Sequence, residues 1–86
     1  MNNLTTLPNI GKVLADKLEE IGISTPEDLK RTGAENAFIK LYTVDDSSCL
    51  CKLYALEGAI QEIRWHNLSA ARKNELKEFF YHCQNR

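Results

Sequence analysis

The chain has 86 residues, enough to bury about 60–65% of the surface its unfolded form exposes and too few for a second core. With 43% hydrophobic and 27% charged residues it falls among ordinary globular domains, which sets disorder aside. A formal net charge of −1 lacks the basic excess of a dedicated nucleic-acid binder, so any contact with DNA has to be local.

The charge is uneven: residues 69–86 hold four basic and two acidic side chains, whereas the earlier segments are neutral or acidic. Cys49, Cys51 and Cys83 are an odd number of cysteines. The opening MNNLTTLPNI has neither the charged n-region nor the apolar h-region of a secretory signal, so a reducing cytoplasm is expected. No apolar run approaches the roughly 20 residues that span a bilayer, and a soluble protein is expected. Two prolines, four glycines and few alternating β-branched runs point to an all-α chain.

In chain order, a short turn around residues 3–7 leads into LPNI. Pro8 and Asn9 suit the central positions of a type II turn: proline presets the first φ and asparagine tolerates the positive φ of the second. A helix follows from Lys12 to Ile21, with Ile10, Leu14, Leu18 and Ile21 along one face. Gly22 stops it as a left-handed residue, with Ile23 returning onto Leu18. Thr25 caps the next helix, Pro26 occupies its first position, and Glu27 and Asp28 face the positive end of its dipole. That helix ends at Gly33. A further one runs over residues 35–42, turning Ala37, Phe38 and Leu41 inward.

The apolar pattern Cys49, Leu53, Leu56, Ile60 and Ile63 predicts a long central helix, with the Asp and Ser residues of 45–48 capping it. Tyr54, Ala55 and Ala59 widen its buried stripe. Gly58 costs that helix about 1 kcal/mol relative to alanine, which implies the close approach of another helix. RWHNL interrupts the pattern. Ser69 then caps a last helix with Leu76, Phe79, Phe80 and Cys83 on one face. The expected architecture is a single domain over residues 1–86, a compact all-α array of about five helices.

A short helical turn, the bend LPNIG and the helix after it resemble a helix-hairpin-helix motif. In that family the amides of the bend and of the second helix's first turn hold one DNA phosphate without reading sequence. The resemblance implies Ile10, Gly11 and Lys12 as the phosphate-binding residues, with Pro8 and Asn9 forming the hairpin turn and Leu7, Ile10 and Ala15 packing it. Asn9 stands where the motif carries its first glycine, and Asp16, Glu19 and Glu20 follow on the same helix. The alternative role of such a hairpin is packing alone.

Nearly the whole chain, over about residues 4–82, is similar to a narrower family. LPNIGKVLADKLEEIGISTPEDL, GAENAF, CLCKLYALEGAIQEIRWHNL and KNELKEFF together resemble the C-terminal domain of TfoX, also called Sxy, a regulator of bacterial DNA-uptake competence. The block from Leu53 to His66 is the most specific part. The resemblance implies a helical SAM-like or helix-hairpin-helix-like domain, present here as a stand-alone copy. It also implies a link to competence gene transcription, where family members resemble co-activators acting with the cyclic-AMP receptor protein.

Cys49 and Cys51 invite a metal reading with His66, His82 and Cys83. Residues two apart on a helix point to nearly opposite sides, so they cannot close a tetrahedral site, and small apolar core residues are expected instead. Trp65 and His66 stand at the end of the central helix, the histidine as a helix-end cap and the tryptophan as an anchor. Together with Tyr54 they form the candidate surface for a protein partner. No serine, cysteine or carboxylate stands in a catalytic relation to His66, so no enzyme activity, metal or cofactor is assigned. Lys30, Arg31, Arg72, Lys73 and Lys77 are expected on solvated faces. The leading expectation is a regulatory module acting through a protein partner in transcriptional control, with sequence-independent DNA binding as the alternative.

Overall fold

Local capping signals set most of the element boundaries in the computed structural model, which describes residues 4–44 and 49–84. A 3-10 turn over Leu4–Thr6 enters the LPNI bend, and five helices follow: α1 (Lys12–Glu20), α2 (Pro26–Thr32), α3 (Ala34–Tyr42), α4 (Leu50–Gln61) and α5 (Ala70–Gln84). A second 3-10 turn, Trp65–Asn67, separates α4 from α5. The described residues contain no strand, so the all-α expectation stands.

Helix α1 ends as its sequence requires. The Gly22 amide donates to the Glu19 carbonyl at 3.1 Å and the Ile23 amide to the Leu18 carbonyl at 2.9 Å, with Gly22 at φ 91°. This pairing of donors, with Ile23 and Leu18 both buried, is a Schellman stop. Helix α2 starts on Thr25, whose Oγ1 accepts from the Asp28 amide at 3.1 Å, with Pro26 in the first turn. Gly33 joins α2 directly to α3. At α5 the Arg72 amide donates to Ser69 Oγ at 3.1 Å, the expected cap. The Asp and Ser residues expected to cap α4 lie outside the described residues.

The centre of the fold is α4, against which α2, α3 and α5 all pack. Leu53, Leu56 and Ala59 from α4 meet Phe38 and Leu41 from α3, Leu29 from α2, Leu18 from α1 and Leu76 from α5 in one core. Leu4, Leu7 and Ile10 close the core beneath α1. Burying a leucine of this kind stabilises the fold by about 1.5–3 kcal/mol relative to leaving it exposed.

Helix α4 departs from the sequence reading at both ends. It stops at Gln61 because Glu62 turns left-handed at φ 60°, and the Glu62 and Ile63 amides donate back to Ala59 and Gly58. Ile63 therefore lies beyond the helix although its spacing continued the apolar pattern. Cys49 is the exposed N-cap residue and not part of the core stripe, and Cys51 is exposed two residues further on. The expectation of buried cysteines is corrected for both; Cys83 is half-buried.

Candidate interaction surface

Asn9 occupies the bend at φ 71°, the left-handed conformation its turn position demands. From there its side chain reaches the far end of α4. Nδ2 donates to the Ile63 carbonyl at 2.9 Å, and Oδ1 accepts from the Trp65 amide at 3.2 Å. One carboxamide thereby satisfies the Ile63 carbonyl just beyond α4 and the amide of Trp65, the first residue of the second 3-10 turn. The contact is close enough to need Gly58: a Cβ there would lie 2.5 Å from Asn9 Nδ2, 2.9 Å from the Ile63 carbonyl oxygen and 3.1 Å from Trp65 Cα. The close approach inferred at Gly58 is thus real, but the approaching group is a side chain of the hairpin turn and the chain leaving α4, not another helix.

This lock positions the aromatic residues. The Tyr54 and Trp65 rings stack at 5.7 Å between centroids with 21° between planes, and Trp65 and His66 stack at 4.0 Å and 27°. Lys73 of α5 holds its ammonium 5.8 Å from the Trp65 ring centroid and donates to the His66 carbonyl at 3.3 Å. Tyr54 and Trp65 are half-buried and His66 is exposed. The three residues nominated as a partner surface therefore form one contiguous ledge, with Lys73 as a fourth member that the sequence reading assigned to a solvated face. His66 does not cap α4, since it lies in the 3-10 turn beyond the left-handed Glu62 that ends the helix.

The nominated phosphate-binding residues divide. Ile10 is buried in the core, while Gly11 and Lys12 are exposed. Gly11 is the N-cap of α1 and supplies no side-chain cap, so the helix begins with its amides served by no capping side chain. The Lys12 ammonium lies 3.8 Å from Asp16 on the same helix, both well exposed. Pro8 and Asn9 make the turn as expected, but Asn9 is directed into the protein by its two hydrogen bonds.

Arg72 does not lie on a solvated face: it donates to Glu35 of α3 at 3.0 Å through both guanidinium nitrogens, to the buried Glu57 of α4 at 2.9 Å and to Glu75 at 3.2 Å. The hydrogen bond from Arg72 holds the Glu35 carboxyl below its ordinary value, and the bonds to Glu57 and Glu35 raise the guanidinium above its own. Glu57 also accepts from Gln61. Lys30 and Arg31 are likewise paired, with Glu62 at 2.8 Å and Asp28 at 3.3 Å. The Lys30 hydrogen bond lowers the Glu62 carboxyl, a group at the surface. Of the five cations expected on solvated faces, Lys30, Arg31 and Arg72 are thus matched by carboxylates. Among the described residues, no three His, Cys, Asp or Glu side chains come together as a metal site.

A five-helix domain built on a hairpin turn locked to its central helix is the class of protein that this geometry defines. The family model for the TfoX C-terminal domain matches residues 1–80, and the chain belongs to that family. Two solved structures from Listeria monocytogenes share the fold. One, a triclinic crystal form of an uncharacterised protein, is 51% identical with a TM-score of 0.93, covering 94% of this chain and 92% of its own. The other, a tetragonal form of a protein of unknown function, is 52% identical with a TM-score of 0.91, covering 94% of this chain and 99% of its own. A search of the curated proteins finds no match.

Proposed function

We propose that this domain is a non-enzymatic regulatory binding module that acts in the cytoplasm through a protein partner in transcriptional control. The observation that carries this reading is the Tyr54–Trp65–His66 ledge, which combines stacked aromatic rings with the Lys73 cation at the surface. Interface hot spots are rich in such residues because they contribute large contact area at little conformational cost. Membership of the TfoX C-terminal family supports a regulatory role. The near-neutral charge and the pairing of Lys30, Arg31 and Arg72 favour a protein surface over a nucleic acid.

The test is site-specific photo-crosslinking from position 66 in living cells, with a second probe at exposed Glu27 as the control. The expected result is an adduct specific to position 66, identified by mass spectrometry as a transcription regulator or polymerase component and lost in Trp65→Ala. Identical adducts from both positions would overturn the reading.

A second reading is sequence-independent DNA binding at the start of α1, favoured by one observation: the exposed Gly11–Lys12 step opens a helix that has no side-chain cap. Ile10 would contribute only its backbone, since its side chain belongs to the core.

A further inference from the structure

Three of the four large apolar side chains most exposed among the described residues, Ile39, Val44 and Tyr81, lie on or just beyond α3 and on α5. Both helices pack on α4, and a groove runs between their outer faces. Its floor is apolar. Ile39, Tyr42, Phe79 and Cys83 line it over the fully buried Phe38, whose ring meets Tyr42 and Phe80 edge-on, each at 5.9 Å between centroids.

The far end of the same groove is acidic. Glu35, Glu75 and Glu78 border it beside Phe79 and His82. Arg72 is the cation paired at this end, and it is shared among Glu35, Glu57 and Glu75. Four carboxylates therefore stand against one guanidinium, and Glu75 and Glu78 are exposed to solvent. Lys73 falls about half a turn around α5 from Glu75 and His82, on the side that faces Trp65.

We infer that this groove docks an amphipathic helix of another protein, one that presents apolar residues at i, i+3 or i+4 and i+7 and carries lysine or arginine at one end. The length suits that occupant: Glu75 to Cys83 covers about 12 Å of helix, or a little over two turns. The apolar floor takes the stripe and the acidic end takes the basic terminus, the arrangement of helix-in-groove recognition. A free carboxylate at this end disfavours an acidic partner by like-charge repulsion. This surface is separate from the Trp65 ledge, and its occupancy does not depend on the function proposed for that ledge.

The test is selection from a phage-displayed library of 16-residue helical peptides on the wild-type domain, with counter-selection on Ile39→Glu. Enriched peptides are then titrated by fluorescence anisotropy. Ile39 is 38% exposed and Glu78 is exposed, so Ile39→Glu and Glu78→Lys keep the core intact, which circular dichroism checks. The expected result is a set of peptides with the apolar spacing and a basic end, bound at least tenfold more weakly by Ile39→Glu. Glu78→Lys weakens binding several-fold, and the effect fades in high salt. Selection of no peptide that distinguishes wild type from Ile39→Glu overturns the proposal. So does enrichment of peptides without a basic end, or self-association of the domain by sedimentation velocity that Ile39→Glu abolishes, which assigns the groove to a second copy.

Discussion

A Cβ at Gly58 would sit 2.5 Å from Asn9 Nδ2, so the central helix and the hairpin turn fit together only because residue 58 has no side chain. Helix propensity alone favours Gly58→Ala by about 1 kcal/mol. The packing argues the other way and wins. The Ile63 carbonyl oxygen and Trp65 Cα, 2.9 and 3.1 Å from the added atom, are backbone and cannot rotate aside. Overpacking of this kind costs about 1–3 kcal/mol, and displacing Asn9 breaks two hydrogen bonds worth about 1 kcal/mol each. Gly58→Ala is expected to be less stable than wild type by about 2–4 kcal/mol in urea unfolding, with altered Trp65 fluorescence. Equal or greater stability would show that the segment after α4 yields.

Asn9 combines two roles that substitution separates. Asn9→Gly keeps the positive φ but leaves the Ile63 carbonyl and the Trp65 amide without the carboxamide, a loss of about 1–2 kcal/mol. Asn9→Ala loses the same bonds and also forces a Cβ residue into the left-handed region, for about 1 kcal/mol more. The expected order in chemical denaturation is wild type, then Asn9→Gly, then Asn9→Ala. Asn9→Gly being as stable as wild type would mean that the hydrogen bonds contribute nothing net.

These two residues also show what could be read from the chain and what could not. The stops and caps at Gly22, Thr25, Pro26 and Ser69 were legible because each signal and its partner lie within five positions. The turn conformation of Asn9 was legible for the same reason. Its second role was not, because its partners are 54 and 56 residues away. The end of α4 was misplaced because Ile63 continues the helical spacing while Glu62, a residue with no special liking for positive φ, turns the chain. Arg72 read as a surface cation because its partners Glu57 and Glu35 are 15 and 37 positions away. The Tyr54–Trp65–His66 grouping was legible as aromatic residues near one helix end, but Lys73 joined it only through the docking of α5.

The Arg72 cluster predicts a measurable asymmetry. Arg72→Leu leaves Glu57 as a buried carboxylate without its ion-pair partner, and a loss of about 2–3 kcal/mol is expected. Adding Glu57→Leu removes that orphaned charge, so the double variant is expected to recover most of the loss. Additive single effects in the double-mutant cycle would show that the pair is not coupled.

Acid titration of the same cluster has a definite sign. The folded-state value of Glu35 lies below its ordinary value of 4.5, so its contribution to stability is fully present above pH 4.5 and is lost as the pH falls through the lowered value. Glu62, lowered by Lys30, behaves the same way in wild type and in Arg72→Leu. The stability difference between those two proteins is therefore expected to be constant near neutrality and to shrink below pH 4.5. A difference that grows in acid would contradict the assignment of Glu35 to Arg72.

DNA titration decides whether LPNIG turns the chain or holds a phosphate. A labelled DNA duplex is titrated with the wild-type domain and with Lys12→Glu at 50 and 200 mM salt, and binding is read by anisotropy. The expected outcome is no saturable binding by either protein. Net charge is −1, Lys12 lies beside Asp16, and Asn9 occupies the motif's glycine position with its side chain committed to Ile63 and Trp65. A single phosphate clamp would release about one counterion, so its affinity would fall only about threefold over that salt range. Saturable binding with that shallow slope, abolished by Lys12→Glu, would assign the start of α1 to DNA. A much steeper slope that survives Lys12→Glu would instead point to diffuse contact by the basic residues of the last helix.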